Sequence, residues 1–273
     1  MFSSVKGFLL SFCLLSLSSF AFAKAQPILI QGAMTIETDV LIAKLENKKA
    51  TTIGAWQFWE GEINGYPVVV SQTEVGYANA AAATTIAIER FKPMLIVNQG
   101  TAGGHDKALR RGDIVIAKES VNMGAYQVDY TEKGKGIHPT QWHRLDAPMR
   151  LRIDGKEVTF THFASDNAMV EKALSLASTY PHGQVVSGVI GSADQWNREI
   201  DRINWLHETY NTAAEEMETA AVALVAKGYQ VPFIGIRVLS NTDLHNEEFL
   251  PETATNCQNF VLNFVESVIA DQK

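Results

Sequence analysis

Three times in the first half of the chain an apolar, β-rich run ends in a loop of small residues and hands over to a second run. The pairs are PILIQGAM then TDVLIAKLEN, YPVVVSQTEVG then YANAAAATTIAIERF, and PMLIVNQGTAGG then RGDIVIAKES. This predicts strand, loop and helix in repetition. Strands apolar along their whole length must be covered on both faces, and alanine-rich amphipathic helices supply the cover. The expected fold is a single α/β domain with a central mixed β-sheet flanked by helices. In such sheets ligands bind beyond the carboxyl ends of the strands, so chemistry is to be sought in the loops QGAM, TEVG and NQGTAGG. The polar stretch 122–152, rich in Gly, His and Tyr, reads as a long excursion over the site or a subunit contact.

The folded domain is expected to begin after residue 23. MFSSVK is a short positive leader, GFLLSFCLLSLSSF is an apolar run shorter than a membrane span, and Ala21-Phe22-Ala23 is a small-x-small cleavage pattern. Residues 1–23 are therefore predicted to be a secretory signal peptide. It would leave a domain over 24–273 that starts at Lys24 and is periplasmic or secreted. Cys13 goes with the signal, so Cys257 is the only mature cysteine and no intramolecular disulfide is expected. The remaining chain, roughly 250 residues, is long enough to bury about 70–75 % of its extended surface without covalent staples.

The formal charge is −7, and no Lys/Arg cluster interrupts the acidic balance. Nucleic acid and anionic membrane are poor partners for such a surface. A small, uncharged ligand fits better. His105, His138, His143, His162 and His245 show no metal-ligand spacing and no HExxH or CxxC pattern, so they read as surface or loop residues, and neither a metal nor a cofactor is expected. Thr161, Ser192 and Ser240 lack a GxSxG context.

Six segments carry the candidate chemistry. Thr212–Ala226, TAAEEMETAAVALVA, places Glu215, Glu216 and Glu218 at the head of an apolar helix, where a carboxylate is costly unless something hydrogen-bonds to it. Gln31-Gly32-Ala33-Met34 ends the first strand, and Glu37 follows in the first helical turn. Gly76 in Glu74-Val75-Gly76 lets the backbone approach a ligand or turn sharply. Asn98-Gln99-Gly100-Thr101-Ala102-Gly103-Gly104 can offer backbone amides but has neither phosphate-loop spacing. Ser192-Ala193-Asp194-Gln195-Trp196 sets an aromatic plane among polar residues, and Arg237 to Asp243 closes the strand FIGIRVLS.

Taken together and in this order, GAMTIE, TEVGYANAA, NQGTAGG and EEMETAAVA resemble the motifs of the nucleoside phosphorylase/nucleosidase superfamily, most closely the 5′-methylthioadenosine/S-adenosylhomocysteine nucleosidases. The resemblance spans nearly the whole mature chain. It implies that Glu37 is the general base that activates a water. Glu218 would bind the ribose hydroxyls with Met217 against the sugar face, and Trp196 would stack on the base. Gly32, Met34, Gly76, Thr101, Ala102, Gly103, Asn197, Glu216, Ser240 and Phe249 complete the implied binding set. Met34 and Phe249 are candidates for the 5′ substituent, whereas Phe233 reads as core. The resemblance also implies a homodimer or higher homo-oligomer. The chemistry is sensible because N-glycosidic cleavage passes through an oxocarbenium-like sugar that nearby carboxylates stabilise.

One position departs from the pattern. Directly after Ser240 these nucleosidases carry an aspartate, and this chain has Asn241. An amide cannot protonate a leaving purine, but it can donate one hydrogen bond and accept another. Nucleosides of 6-oxopurines such as inosine and guanosine therefore stand level with adenine-type substrates, and Asp243 is a candidate replacement acid. Phosphorylases of the superfamily hold phosphate with arginines, one of them in the first glycine loop. Here that loop has only Glu37, which favours hydrolysis over phosphorolysis. Arg237 reads as an internal partner for a carboxylate such as Glu216, and Arg110 and Arg111 as residues of a solvated turn. The alternatives are a phosphate-using phosphorylase and a non-catalytic nucleoside-binding or storage protein. The second is disfavoured because two desolvated acids gain little from facing a neutral sugar.

Overall fold

The computed structural model describes residues 25–145 and 149–272; the predicted signal peptide at 1–23 lies outside the described residues. Strand β1 (Ile28–Gly32) runs through one 3-10 turn (Thr35–Glu37) into α1 (Asp39–Lys44). A meander of β2 (Glu46–Ile53), β3 (Trp56–Ile63) and β4 (Tyr66–Gln72) leads to α2 (Tyr77–Phe91), then β5 (Leu95–Gly104) and β6 (Ile114–Asn122). Two short hairpins follow, β7 (Tyr126–Gln127) with β8 (His143–Arg144) and β9 (Met149–Ile153) with β10 (Lys156–Phe160). The chain closes with β11 (Phe163–Ala164), α3 (Asn167–Ser175), β12 (Val185–Ser192), α4 (Ile200–Tyr210), β13 (Thr212–Glu216), α5 (Thr219–Tyr229), β14 (Phe233–Asn241) and α6 (Glu252–Ala270).

The expected mixed sheet is present, and part of it is closed on itself. β1 pairs in parallel with β4 and β5, while β3 and β2 extend the sheet antiparallel. Beyond β5 the strands form a ring: β5 with β14, β14 with β6, β6 with β12, β12 with β13, and β13 back to β5. Side-chain alternation sorts the core onto two faces. Ile28, Ile30, Val68, Val70 and Val97 meet Leu41 of α1 and Phe260 and Phe264 of α6. Leu29, Val69 and Ile96 meet Ala80 and Ala87 of α2 and Val222 of α5, and Phe233 belongs to this second core as expected. Burying a side chain such as Phe264 stabilises the fold by roughly 1.5–3 kcal/mol.

Three expectations change. RGDIVIAKES is not a helix: Ile114–Asn122 is strand β6, too short and too evenly apolar for an amphipathic helix and saturated by ladders to β12 and β14. NQGTAGG is not a loop, because β5 continues to Gly104 with β14 on one side and β13 on the other. An added Cβ at Gly100 would sit 2.5 Å from Arg237 Nη1 and 2.7 Å from Glu37 Oε1, so only glycine lets those two groups close on the strand. Finally, TAAEE is strand β13, and the helix starts after Glu218 rather than before Glu215. The helix preference of Ala and Glu yields to two ladders that satisfy the same backbone groups.

Candidate active site

The ends of β1, β5, β13 and β14 and the segment after β12 converge on a cavity of about 370 Å³. It is lined by Ala33, Met34, Glu37, Val75, Thr101, Ala102, Gly103, Gln195, Trp196, Glu215, Glu216, Met217, Glu218, Ser240, Asn241 and Phe249. Glu37 and Glu218, 181 positions apart in the chain, thus face one space. Of the described residues in the 122–152 excursion, none lines it.

Glu37 is held from both sides. Its Oε2 accepts the N–H groups of Ala33 (2.9 Å) and Met34 (3.1 Å), and its Oε1 accepts the N–H and hydroxyl of Thr101, both at 2.8 Å. Four donors aimed at one buried carboxylate fix its orientation toward the cavity. The 3-10 turn supplies the geometry, since it folds Glu37 back over the end of β1.

Glu216 lines the cavity as expected and is also built into its frame. Its Oε2 accepts the N–H groups of Glu218 and Thr219 at 2.9 Å and the Arg237 Nη2 at 2.5 Å, while Oε1 accepts the Ser192 hydroxyl. Three donors converge on Oε2, so Glu216 shapes the Met217-Glu218 corner and caps the positive end of α5. Arg237 is fully buried and also donates to Asn98 Oδ1 (2.6 Å) and Thr219 Oγ1 (3.2 Å). It is the internal ion-pair partner that its sequence position suggests.

Glu218 stands at the N-cap position of α5, with Oε1 accepting the Gly76 N–H at 2.8 Å and Oε2 3.6 Å from Arg237 Nη2. Burial pushes its carboxyl up to about 8; Arg237 pulls it down, Glu216 pushes it up, the Gly76 amide pulls it down, and Glu37 pushes it up. Only the anion can stabilise a cationic sugar, so kcat/KM should rise with pH through about 8. Glu218→Gln should flatten that limb and lower kcat/KM by about 10²-fold or more; an unchanged inflection in this variant refutes the assignment.

The aromatic wall is Trp196, 60 % exposed, with Phe249 packed edge-on at 6.3 Å between ring centroids. Gly76 borders a shallow groove continuous with the cavity through Val75, Gln195, Trp196 and Met217. Three expected binding residues are outside the cavity lining, Gly76 at that groove and two others. A Cβ at Gly32 would lie 2.8 Å from Gln99 Nε2, so that glycine serves packing beneath the site. Asn197 turns its backbone N–H (2.9 Å) and its Nδ2 (2.6 Å) onto Glu215. Asp243 is also outside the lining, and its carboxylate is held by Arg198 Nε at 2.9 Å, which removes it as the replacement acid. Among the histidines, His105 is not a surface residue: it is buried at the end of β5 between Thr212 and Glu215.

Sequence reading missed Ala33, Val75, Gln195 and the part of Glu215 in the cavity wall. Glu215 had a signal, a third acid beside Glu216, but strand alternation is what turns it to the opposite side.

Comparison with known proteins agrees with this geometry. The sequence profile of the phosphorylase superfamily matches residues 27–270. A 5′-methylthioadenosine/S-adenosylhomocysteine nucleosidase of Psychromonas ingrahamii is 34% identical over 245 residues, covering 88% of this chain and 98% of its own. One of Bacillus thuringiensis is 31% identical, with 88% and 99% covered. Among solved structures, the nucleosidase of that name from Neisseria meningitidis, in complex with methylthio-immucillin-A, superposes with a TM-score of 0.71 at 29% identity, covering 89% of this chain and all of that one.

Proposed function

The chain belongs to the phosphorylase superfamily, and from that premise we propose that it is an exported purine nucleosidase that hydrolyses the N-glycosidic bond of purine nucleosides. The observation that carries the reading is the convergence of Glu37 and Glu218 on one cavity with an aromatic wall. Glu37 takes a proton from a water whose oxygen bonds to C1′. The C1′–N9 electron pair leaves with the purine, which regains a proton from solvent, and the free sugar is released. Glu218 holds the ribose hydroxyls and, as the anion, offsets the positive charge that develops on the ring. Trp196 offers its indole face to the base, and Met34 and Phe249 offer apolar surface to the 5′ substituent.

Hydrolysis rather than phosphorolysis is supported by the wall itself. None of its residues is Lys or Arg, and the nearby Arg237 is already occupied by Glu216, Asn98 and Thr219. A phosphate dianion would meet acids with no free cation. Release of free purine and ribose at the same rate with and without phosphate is the expected result; a strict phosphate requirement with ribose 1-phosphate as product overturns it. Export rests on the signal pattern at 1–23, and the N-terminus of the released protein should read Lys24. The exposed Val128, Tyr130 and Ile137 of the excursion support assembly into a homo-oligomer. An exported enzyme of this kind would salvage or degrade extracellular purine nucleosides.

A further inference from the structure

The cavity holds a third carboxylate that the hydrolytic chemistry does not use. Glu215 is buried at the end of β13, on the face opposite Glu216. It is a built feature. The Asn197 backbone N–H donates to Oε1 at 2.9 Å, Asn197 Nδ2 donates to Oε2 at 2.6 Å, and His105 Nε2 lies 3.2 Å from Oε2. His105 is itself held through Nδ1 to the Thr212 hydroxyl at 2.8 Å. Desolvating a carboxylate in a cavity wall is costly, and the two Asn197 donors keep it in place next to Trp196, the residue preceding that clamp, with the His105 ring packed beside it.

Gly103 separates Glu215 from Asn241. A Cβ built there would lie 3.4 Å from Glu215 Cγ, 3.5 Å from Asn241 Nδ2 and 3.8 Å from Asn241 Oδ1, so the two side chains lean over the glycine from the strands on either side of it, the amide with its nitrogen toward that gap. The amide is oriented. Its Oδ1 is 3.2 Å from the Ser240 hydroxyl, and its Nδ2 is 3.4 Å from Asp243 Oδ2, a carboxylate oxygen that can only accept. The wall thus presents an acceptor, Glu215, beside a donor, Asn241.

A purine stacked on Trp196 meets that pair with its six-membered edge. A 6-oxopurine offers a donor at N1–H beside an acceptor at O6, which is the complement. Adenine offers the reverse, an acceptor at N1 beside a donor amino group, so a lone pair would face the carboxylate and an N–H would face the amide. We propose that Glu215, clamped by Asn197, reads the base together with Asn241 and makes this site selective for 6-oxopurine nucleosides, with guanine gaining a further contact from its 2-amino group. This rests on the purine nucleosidase reading and names its substrate class.

The test uses the mature chain and two readouts, kcat/KM for inosine and adenosine and calorimetric binding of hypoxanthine and adenine. A charge-assisted hydrogen bond replaced by a lone-pair clash changes relative affinity roughly tenfold to a hundredfold. Inosine and hypoxanthine should be preferred by at least that factor, and Glu215→Gln, whose amide can donate to N1 of adenine, should erase the preference while adenosine is handled as well as or better than before. A cooperative thermal melt followed by circular dichroism shows that the variant folds. Wild-type preference for adenine, equal affinity for the two bases, or a preference unchanged in Glu215→Gln overturns the proposal. The base-binding readout also separates the two claims: if no nucleoside is cleaved but hypoxanthine binds selectively through Glu215, the hydrolytic reading fails and the base reading stands.

Discussion

Glu37→Gln should lower kcat by about 10² to 10⁴ while KM for the preferred nucleoside stays within a few-fold, the signature of a group that acts in the transition state and not in ground-state binding. The carboxylate is positioned by Ala33, Met34 and Thr101, all of which present N–H or O–H groups to it. Glutamine preserves the shape but cannot accept a proton from water. Its amide NH2 must also face one of those donor pairs, so a loss of about 1–3 kcal/mol in stability is expected alongside. Calorimetric binding of substrate to the variant separates the effects, since a misfolded protein would bind nothing and a protein lacking only its base would bind normally. A variant that turns over within threefold of the parent would remove Glu37 from the mechanism.

The two carboxylates that meet in the cavity, Glu37 just past a strand end and Glu218 at the head of an apolar helix, stand out in the sequence, and their proposed roles come from the family that these motifs resemble. The bounds of α2 could be read from its run of alanines, closed on each side by Gly76 and by Lys92 in the left-handed conformation. What could not be read depends on partners distant in the chain. β14 touching both β5 and β6 closes the ring, and no periodicity within Phe233–Asn241 announces two neighbours. The same holds for His105. Its burial is decided by Thr212 and Glu215, more than 100 positions away, and the sequence around it looks like any loop. Asn197, part of the implied binding set, bonds instead to Glu215, a partner that no local pattern around it announces.

Arg237→Met carries the largest expected cost in stability. The guanidinium lies 2.5 Å from Glu216 Oε2 and 3.6 Å from Glu218 Oε2, all three side chains buried, and methionine fills much of the same volume without the charge. Two carboxylates would then share a closed space with no cation, and breaking a buried pair by removing one partner costs about 3–5 kcal/mol. For a domain of this size that corresponds to a fall in Tm of roughly 6–20 °C. The pH dependence identifies the cause. Burial already raises Glu218 above its ordinary 4.5, to about 8, so the folded state retains a proton that the unfolded chain gives up. Stability from that proton is complete below 4.5 and is lost as pH rises through the folded value. Without Arg237 the folded value climbs further, so the variant should unfold most easily in alkaline buffer and approach the parent in acid. Denaturant titrations at several pH values would show the gap widening as the buffer becomes more basic. A gap independent of pH would mean that the lost packing and the bonds to Asn98 and Thr219, not the unpaired acids, dominate. Pairing the change with Glu216→Gln should then recover stability only if repulsion between the two carboxylates was the source of the loss.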